Sequence, residues 1–93
     1  MKHILVVDDE AGMRQGADRV LRSFSLRLPD IDGEVRFAIS AVATGSELEK
    51  RLATDKPPDI LLLDHKLPDT TGLEILDQLA ARSFDLLVIM ITA

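Results

Sequence analysis

At 93 residues the chain is long enough for one small domain, residues 1–93, and no more. Its formal charge of −5, with 11 scattered Lys and Arg, argues against non-specific binding to nucleic acid or to an anionic membrane. The absence of cysteine excludes disulfides and thiolate metal sites and fits a reducing cytoplasm.

The first element is announced by "KHILVVDDE". One positive residue and a short apolar run do not make a secretory signal. The run "ILVV" (residues 4–7) is uniformly apolar, as strands buried on both faces of a parallel sheet are. Met13, Ala17, Val20, Leu21 and Phe24 then recur at spacings of three and four, which predicts one helix with an apolar stripe. The segment "SLRLPDIDGE" is long for a connection and reads as a helix extension followed by a surface loop. "EVRFAISAV" alternates, with Val35, Phe37 and Ile39 on one side, and reads as a half-exposed edge strand.

A second helix is signalled by "SELE" (residues 46–49), which has the form of a capping box with Ser46 as cap and Glu49 reaching back. Leu48 and Leu52 face inward, and "KPPD" ends the helix. "ILLL" (residues 60–63) is the next buried strand. A third helix starts near Gly72 with Thr70 or Thr71 as cap, and Leu73, Leu76, Leu79 and Ala80 are expected on its buried face. "LLVIMI" (residues 86–91) is the last strand and is far too short to span a bilayer. Strands alternating with helices imply right-handed βαβ units and a parallel sheet covered on both faces.

Ligands of open α/β sheets bind beyond the carboxyl ends of the strands, where the strand order reverses. Here the first strand runs into Asp8, Asp9 and Glu10, the third into Asp64 and the fourth into Thr92. With strand order 2-1-3-4, the first and third strands are neighbours about 4.8 Å apart, and Asp8, Asp9 and Asp64 share one pocket. Clustered carboxylates repel one another, and a hard cation relieves the repulsion; all-oxygen ligands suit Mg²⁺. An aspartate beside such a cation can act as a nucleophile towards a phosphoryl group. Taken singly, each residue has a blander explanation: an acidic pair after a strand is most often a turn or a helix cap. It is the combination of strand ends that points to chemistry.

In these residues the chain resembles the receiver domain of bacterial two-component response regulators. "ILVVDDE" is similar to that family's first strand and acidic pair. "DILLLDHKLPDTTGLEIL" is similar to its phosphoacceptor segment, and "LLVIMITA" to its fourth strand with the switch Thr-Ala pair. The resemblance implies a flavodoxin-like fold and phosphorylation of Asp64 by a histidine kinase or a phosphotransfer protein. It also implies Mg²⁺ held by Asp9, Asp64, the Lys66 carbonyl and, through water, Asp8. The Thr92 hydroxyl and the Ala93 amide would meet the phosphoryl group, Pro68 would set the turn, and His65 would stand at the pocket rim. The output implied is control of transcription in the cytoplasm, with no direct nucleic-acid contact by this domain.

The family continues past this point with a fourth helix, a fifth strand bearing a lysine, and a fifth helix. In this sequence the fifth strand and last helices are missing after Ala93, and no lysine follows Lys66. The expectation is a truncated receiver domain with weak metal binding and slow or absent phosphorylation. Its fourth strand would be left as an apolar edge that pairs with a second chain, as a homodimer or a domain swap. Two other functions compete with this one. A Mg²⁺-dependent phosphatase would want an aspartate two residues after its nucleophile, and Lys66 stands there instead, so no enzyme is expected. A structural, protein-binding module that is not phosphorylated is favoured by the absent lysine and disfavoured by Asp8, Asp9, Asp64 and Thr92.

Overall fold

The fold was analysed in a computed structural model, which describes residues 2–22, 25–27, 34–54, 57–82 and 86–91. In chain order the elements are β1 (Lys2–Val7), α1 (Ala11–Arg22), β2 (Ser25–Arg27), β3 (Glu34–Val42), α2 (Gly45–Leu52), β4 (Ile60–Asp64), α3 (Gly72–Ala81) and β5 (Leu87–Ile91). The sheet order is β2-β3-β1-β4-β5. The pairs β3–β1, β1–β4 and β4–β5 are parallel. Those four strands are the expected 2-1-3-4 order of a flavodoxin-like sheet. No helix among the described residues is long and apolar enough to cross a membrane.

One expectation fails after α1. Residues 25–27 do not extend the helix. They form β2, which runs antiparallel to the start of β3, with Leu26 opposite Val35. The reason is the open edge of β3, whose unpaired backbone groups accept a short returning strand.

The core lies on one face of the sheet. Leu5 and Val7 of β1 and Leu61 and Leu63 of β4 alternate onto that face. There they pack with Leu48 and Leu52 of α2, Leu67 of the following loop, and Ile75 and Leu79 of α3. Ile4 and Val6 point to the other face and are also buried, which explains why β1 reads as uniformly apolar. α1 lies along β3 and β1, yet none of its residues is fully buried, and Met13 and Val20 of its apolar stripe are exposed. Phe24 of the stripe lies outside the described residues.

Both later helices differ in detail from expectation. The cap of α2 is Thr44, not Ser46: its Oγ1 accepts from the Glu47 N–H at 3.1 Å. The Glu47 carboxylate reaches back to the Ala43 N–H at 3.3 Å. α3 is capped by Thr71, whose Oγ1 accepts from the Glu74 N–H at 3.2 Å. The buried face of α3 is Gly72, Ile75 and Leu79, with Leu76 partly covered. Leu73 is 57% exposed and Ala80 is exposed as well. A helix offers two apolar stripes here, and Gly72, the small residue, sets which of them faces the sheet.

This phase has a direct test. Ile75, 3% exposed, sits in the core, so Ile75→Ala should cost about 2–5 kcal/mol in urea denaturation. Leu73→Ala should stay within about 0.5 kcal/mol of the parent. Equal losses would mean that the helix is rotated from the position described.

Candidate functional site

β1 and β4 run side by side with Val7 opposite Leu63, so the chain leaves both strands at the same level. The next residue on β1 is Asp8, and β4 itself ends at Asp64. Asp9, beside Asp8, is exposed, and Asp64 is half-buried. One carboxylate oxygen from each of Asp8, Asp9 and Asp64 can be chosen such that all lie within 4.8 Å of one another. Around them a cleft of about 340 Å³ is lined by Asp9, Glu10, Asp64, His65 and Lys66.

Asp8 is the fixed member of the group. Only 7% of it is exposed. Its N–H donates to the Val42 carbonyl at 3.1 Å, which prolongs the β1–β3 ladder by one bond. Its carboxylate accepts the Glu10 N–H at 2.9 Å. Its own carbonyl accepts from the Arg14 guanidinium at 2.7 Å, so the first turn of α1 holds the loop closed. A buried carboxylate is tolerated when it is hydrogen-bonded. Here one oxygen is engaged and the other remains for a ligand.

The loop after Asp64 is tied to itself. The Gly72 N–H donates to the His65 carbonyl at 2.8 Å and the Leu67 N–H to the Thr70 carbonyl at 3.0 Å. Lys66 and Thr71 form an isolated antiparallel bridge. Leu67 is buried and anchors the loop in the core, whereas Lys66 is exposed at the cleft. At the far side of the loop the Asp69 carboxylate accepts from the Gly45 and Ser46 amides, both at 2.9 Å. Those two amide bonds hold the Asp69 carboxyl below its ordinary carboxylate value.

Of the residues singled out in the sequence, Asp8, Asp9, Asp64 and Lys66 converge on one cleft, and His65 lines it too. Thr92 and Ala93 lie outside the described residues. Sequence reasoning passed over Arg14 and Asp69. Arg14 carries a weak signal, one helical turn and a half after Asp8. Asp69 carries none, because its partners are 23 and 24 residues away. The three clustered carboxylates, Asp8, Asp9 and Asp64, offer an all-oxygen donor set. It therefore fits a small hard cation such as Mg²⁺.

Comparison with known proteins gives the same class. The sequence pattern of the response regulator receiver domain matches residues 4–93. A protein of Haloferax volcanii named as a candidate transcriptional regulator is 34% identical over 90 residues, 97% of this chain and 13% of its own length. Response regulator MprA of Mycobacterium ulcerans is 33% identical over 90 residues, again 97% of this chain and 34% of its own. Among solved structures, the MaeR response regulator bound to beryllium trifluoride superposes with a TM-score of 0.79 at 27% identity. That match covers 100% of this chain and 68% of the MaeR chain. The chain belongs to the response-regulator receiver family. Receiver domains are the signalling modules of two-component systems; they bind Mg²⁺ at an acidic pocket and meet histidine kinases or phosphotransfer proteins. This chain spans about an eighth to a third of the two relatives just named.

Gly72 lets α3 start close against the Asp64–His65 backbone. A Cβ there would stand 2.9 Å from the Asp64 carbonyl oxygen and 3.1 Å from the Met90 Cε. Alanine normally favours a helix over glycine by up to about 1 kcal/mol. Here the clash with backbone should prevail, and Gly72→Ala should destabilise by about 1–3 kcal/mol in urea denaturation. A stabilised variant would show that the Asp64–His65 segment yields freely.

Proposed function

We propose that this domain takes a phosphoryl group onto the Asp64 carboxylate from a phosphohistidine of a histidine kinase or phosphotransfer protein. In that step an Asp64 oxygen forms the P–O bond as the P–N bond to the donor imidazole breaks. The imidazole leaves with the bonding pair and takes up a proton. The observation that carries this reading is the convergence of the Asp8, Asp9 and Asp64 carboxylates within 4.8 Å at the ends of two neighbouring strands. Asp9, Asp64 and the Lys66 carbonyl are the proposed direct ligands of Mg²⁺, with Asp8 acting through water. Bound there, the cation would offset charge on the transferred oxygens.

The chain's own residues supply the rest. Asp8 is held by Val42, Glu10 and Arg14, so the acidic group is preorganised. Asp64 and Ile91 are opposite each other in the β4–β5 register, and the residue that follows Ile91 in the chain is Thr92. Its hydroxyl and the Ala93 amide are assigned to the phosphoryl oxygens by resemblance to the family. The beryllium trifluoride bound by MaeR, which becomes a tetrahedral mimic of a phosphoryl group when a carboxylate oxygen completes its coordination, supports this use of the fold. The output proposed for the whole protein is control of transcription, in keeping with the Haloferax relative's name.

Acetyl phosphate with Mg²⁺ should add one phosphoryl group to the intact chain, read by mass spectrometry. Asp64→Asn should abolish the adduct. An adduct of unchanged yield in that variant, or one formed equally well in excess chelator, would sink the reading.

A second reading concerns association and rests on β5. Leu87, Ile89 and Ile91 are 58%, 45% and 37% exposed. Among the described residues no strand pairs with the outer edge of β5. Such an edge pairs readily with another copy. Light scattering after size-exclusion chromatography should show a dimer that Ile89→Lys disperses. A monomer at high concentration would count against it.

A further inference from the structure

We propose that Asp69 is a positioning residue for the acidic cleft: its carboxylate ties the β4–α3 loop to the first turn of α2 and so holds the Lys66 segment at the cleft's rim. The proposal rests on the phosphoacceptor reading of that cleft given above. The loop's internal bonds, from Gly72 to His65 and from Leu67 to Thr70, make it a compact body. They do not fix it against the β3 side of the site. Two bonds do: the Gly45 and Ser46 amides, both 2.9 Å from the Asp69 oxygens. A charged acceptor makes such bonds stronger than neutral ones.

The contact is also tight. A Cβ on Gly45 would stand 2.5 Å from the Thr70 Cγ2 and 3.3 Å from an Asp69 oxygen. α2 follows β3 almost at once, and β3 ends at Val42, whose carbonyl accepts the Asp8 N–H. A continuous path therefore runs from Asp8 through Val42 and the first turn of α2 to Asp69, then back along the loop to Lys66. It links both sides of the cleft without passing through the carboxylates themselves. The simpler role for Asp69 would be to cap α2 and no more. Thr44 separates the two roles, because its hydroxyl caps the same helix by accepting from the Glu47 N–H and not through the loop.

The experiment uses the ¹⁵N-labelled chain, with amide exchange measured first and Mg²⁺ then titrated while amide shifts are followed. Asp69→Ala should speed exchange at Leu67 and Gly72 and raise the Mg²⁺ dissociation constant about tenfold, as loss of supporting contacts around a metal commonly does. Asp69→Asn keeps one acceptor oxygen and should fall between. Thr44→Ala should speed exchange in α2 while leaving the loop amides and the Mg²⁺ affinity at their parent values. Parent-like loop exchange in Asp69→Ala, or Thr44→Ala matching Asp69→Ala at the loop and in Mg²⁺ affinity, would overturn the proposal. Should the parent chain show no Mg²⁺-dependent shifts, the phosphoacceptor reading fails instead. The tether is then judged on exchange at Leu67 and Gly72 alone: faster in Asp69→Ala upholds it, and unchanged overturns it.

Discussion

The parallel pairing of β1 along both its edges is the constraint on which the site depends. Val7 lies opposite Val42 on one side and Leu63 on the other. Because a one-residue slip turns every side chain to the opposite face, this register is fixed by apolar packing. A slip of β4 would take Leu61 and Leu63, both fully buried, off the core face. The same slip would put Asp64 out of line with Asp8. The carboxylates are thus held together by residues that never touch a ligand. Their mutual repulsion is carried by a sheet that has no cheaper register available.

What surrounds the cluster is a set of short hydrogen bonds to backbone rather than a ring of positive side chains. Asp8 accepts an amide proton and its carbonyl accepts from Arg14. Asp69 accepts two amides of α2. Backbone amides fix geometry without neutralising the pocket. Arg14 spends one donor on a carbonyl, not on a carboxylate. The cleft therefore keeps its appetite for a cation while its walls stay rigid. That combination would suit the cation-assisted acceptor proposed above.

Much of this was legible in the sequence, and the failures have identifiable causes. Uniform apolar runs ending in Asp8 and Asp64 marked two strands of the sheet, and the order that brings the carboxylates together came from the resemblance to the family. The start of α2 was misplaced because "TGSELE" contains two overlapping capping boxes, Thr44 to Glu47 and Ser46 to Glu49. The choice between them is not local. With Thr44 as cap, the amides of Gly45 and Ser46 go to Asp69, that of Glu47 to the Thr44 hydroxyl and that of Leu48 to the Thr44 carbonyl. All four first-turn donors are then satisfied, and no short window of sequence displays the carboxylate that completes the set. Leu73 was misassigned for a related reason. Apolar residues stand on both sides of Leu79, and the side that packs carries Gly72, which lies close to the Asp64 carbonyl. β2 escaped notice because three residues are too few to show a period.

The two faces of the sheet are unequal, and the inequality bears on how the site is supported. On one face α2, α3 and Leu67 close over β1 and β4 completely. On the other, the described residues leave Leu87, Ile89 and Ile91 of β5 open while Ile4 and Val6 of β1 stay buried. Among the described residues burial therefore falls from β1 outwards to β5. Asp64 stands at the boundary, bonded through its strand to buried β1 on one side and to β5 on the other. On the β1 side, Asp8 beside it is held by Val42, Glu10 and Arg14. On the β5 side, Ile91, 37% exposed, lies directly opposite. The acidic cluster is thus fixed chiefly through its attachment to β1.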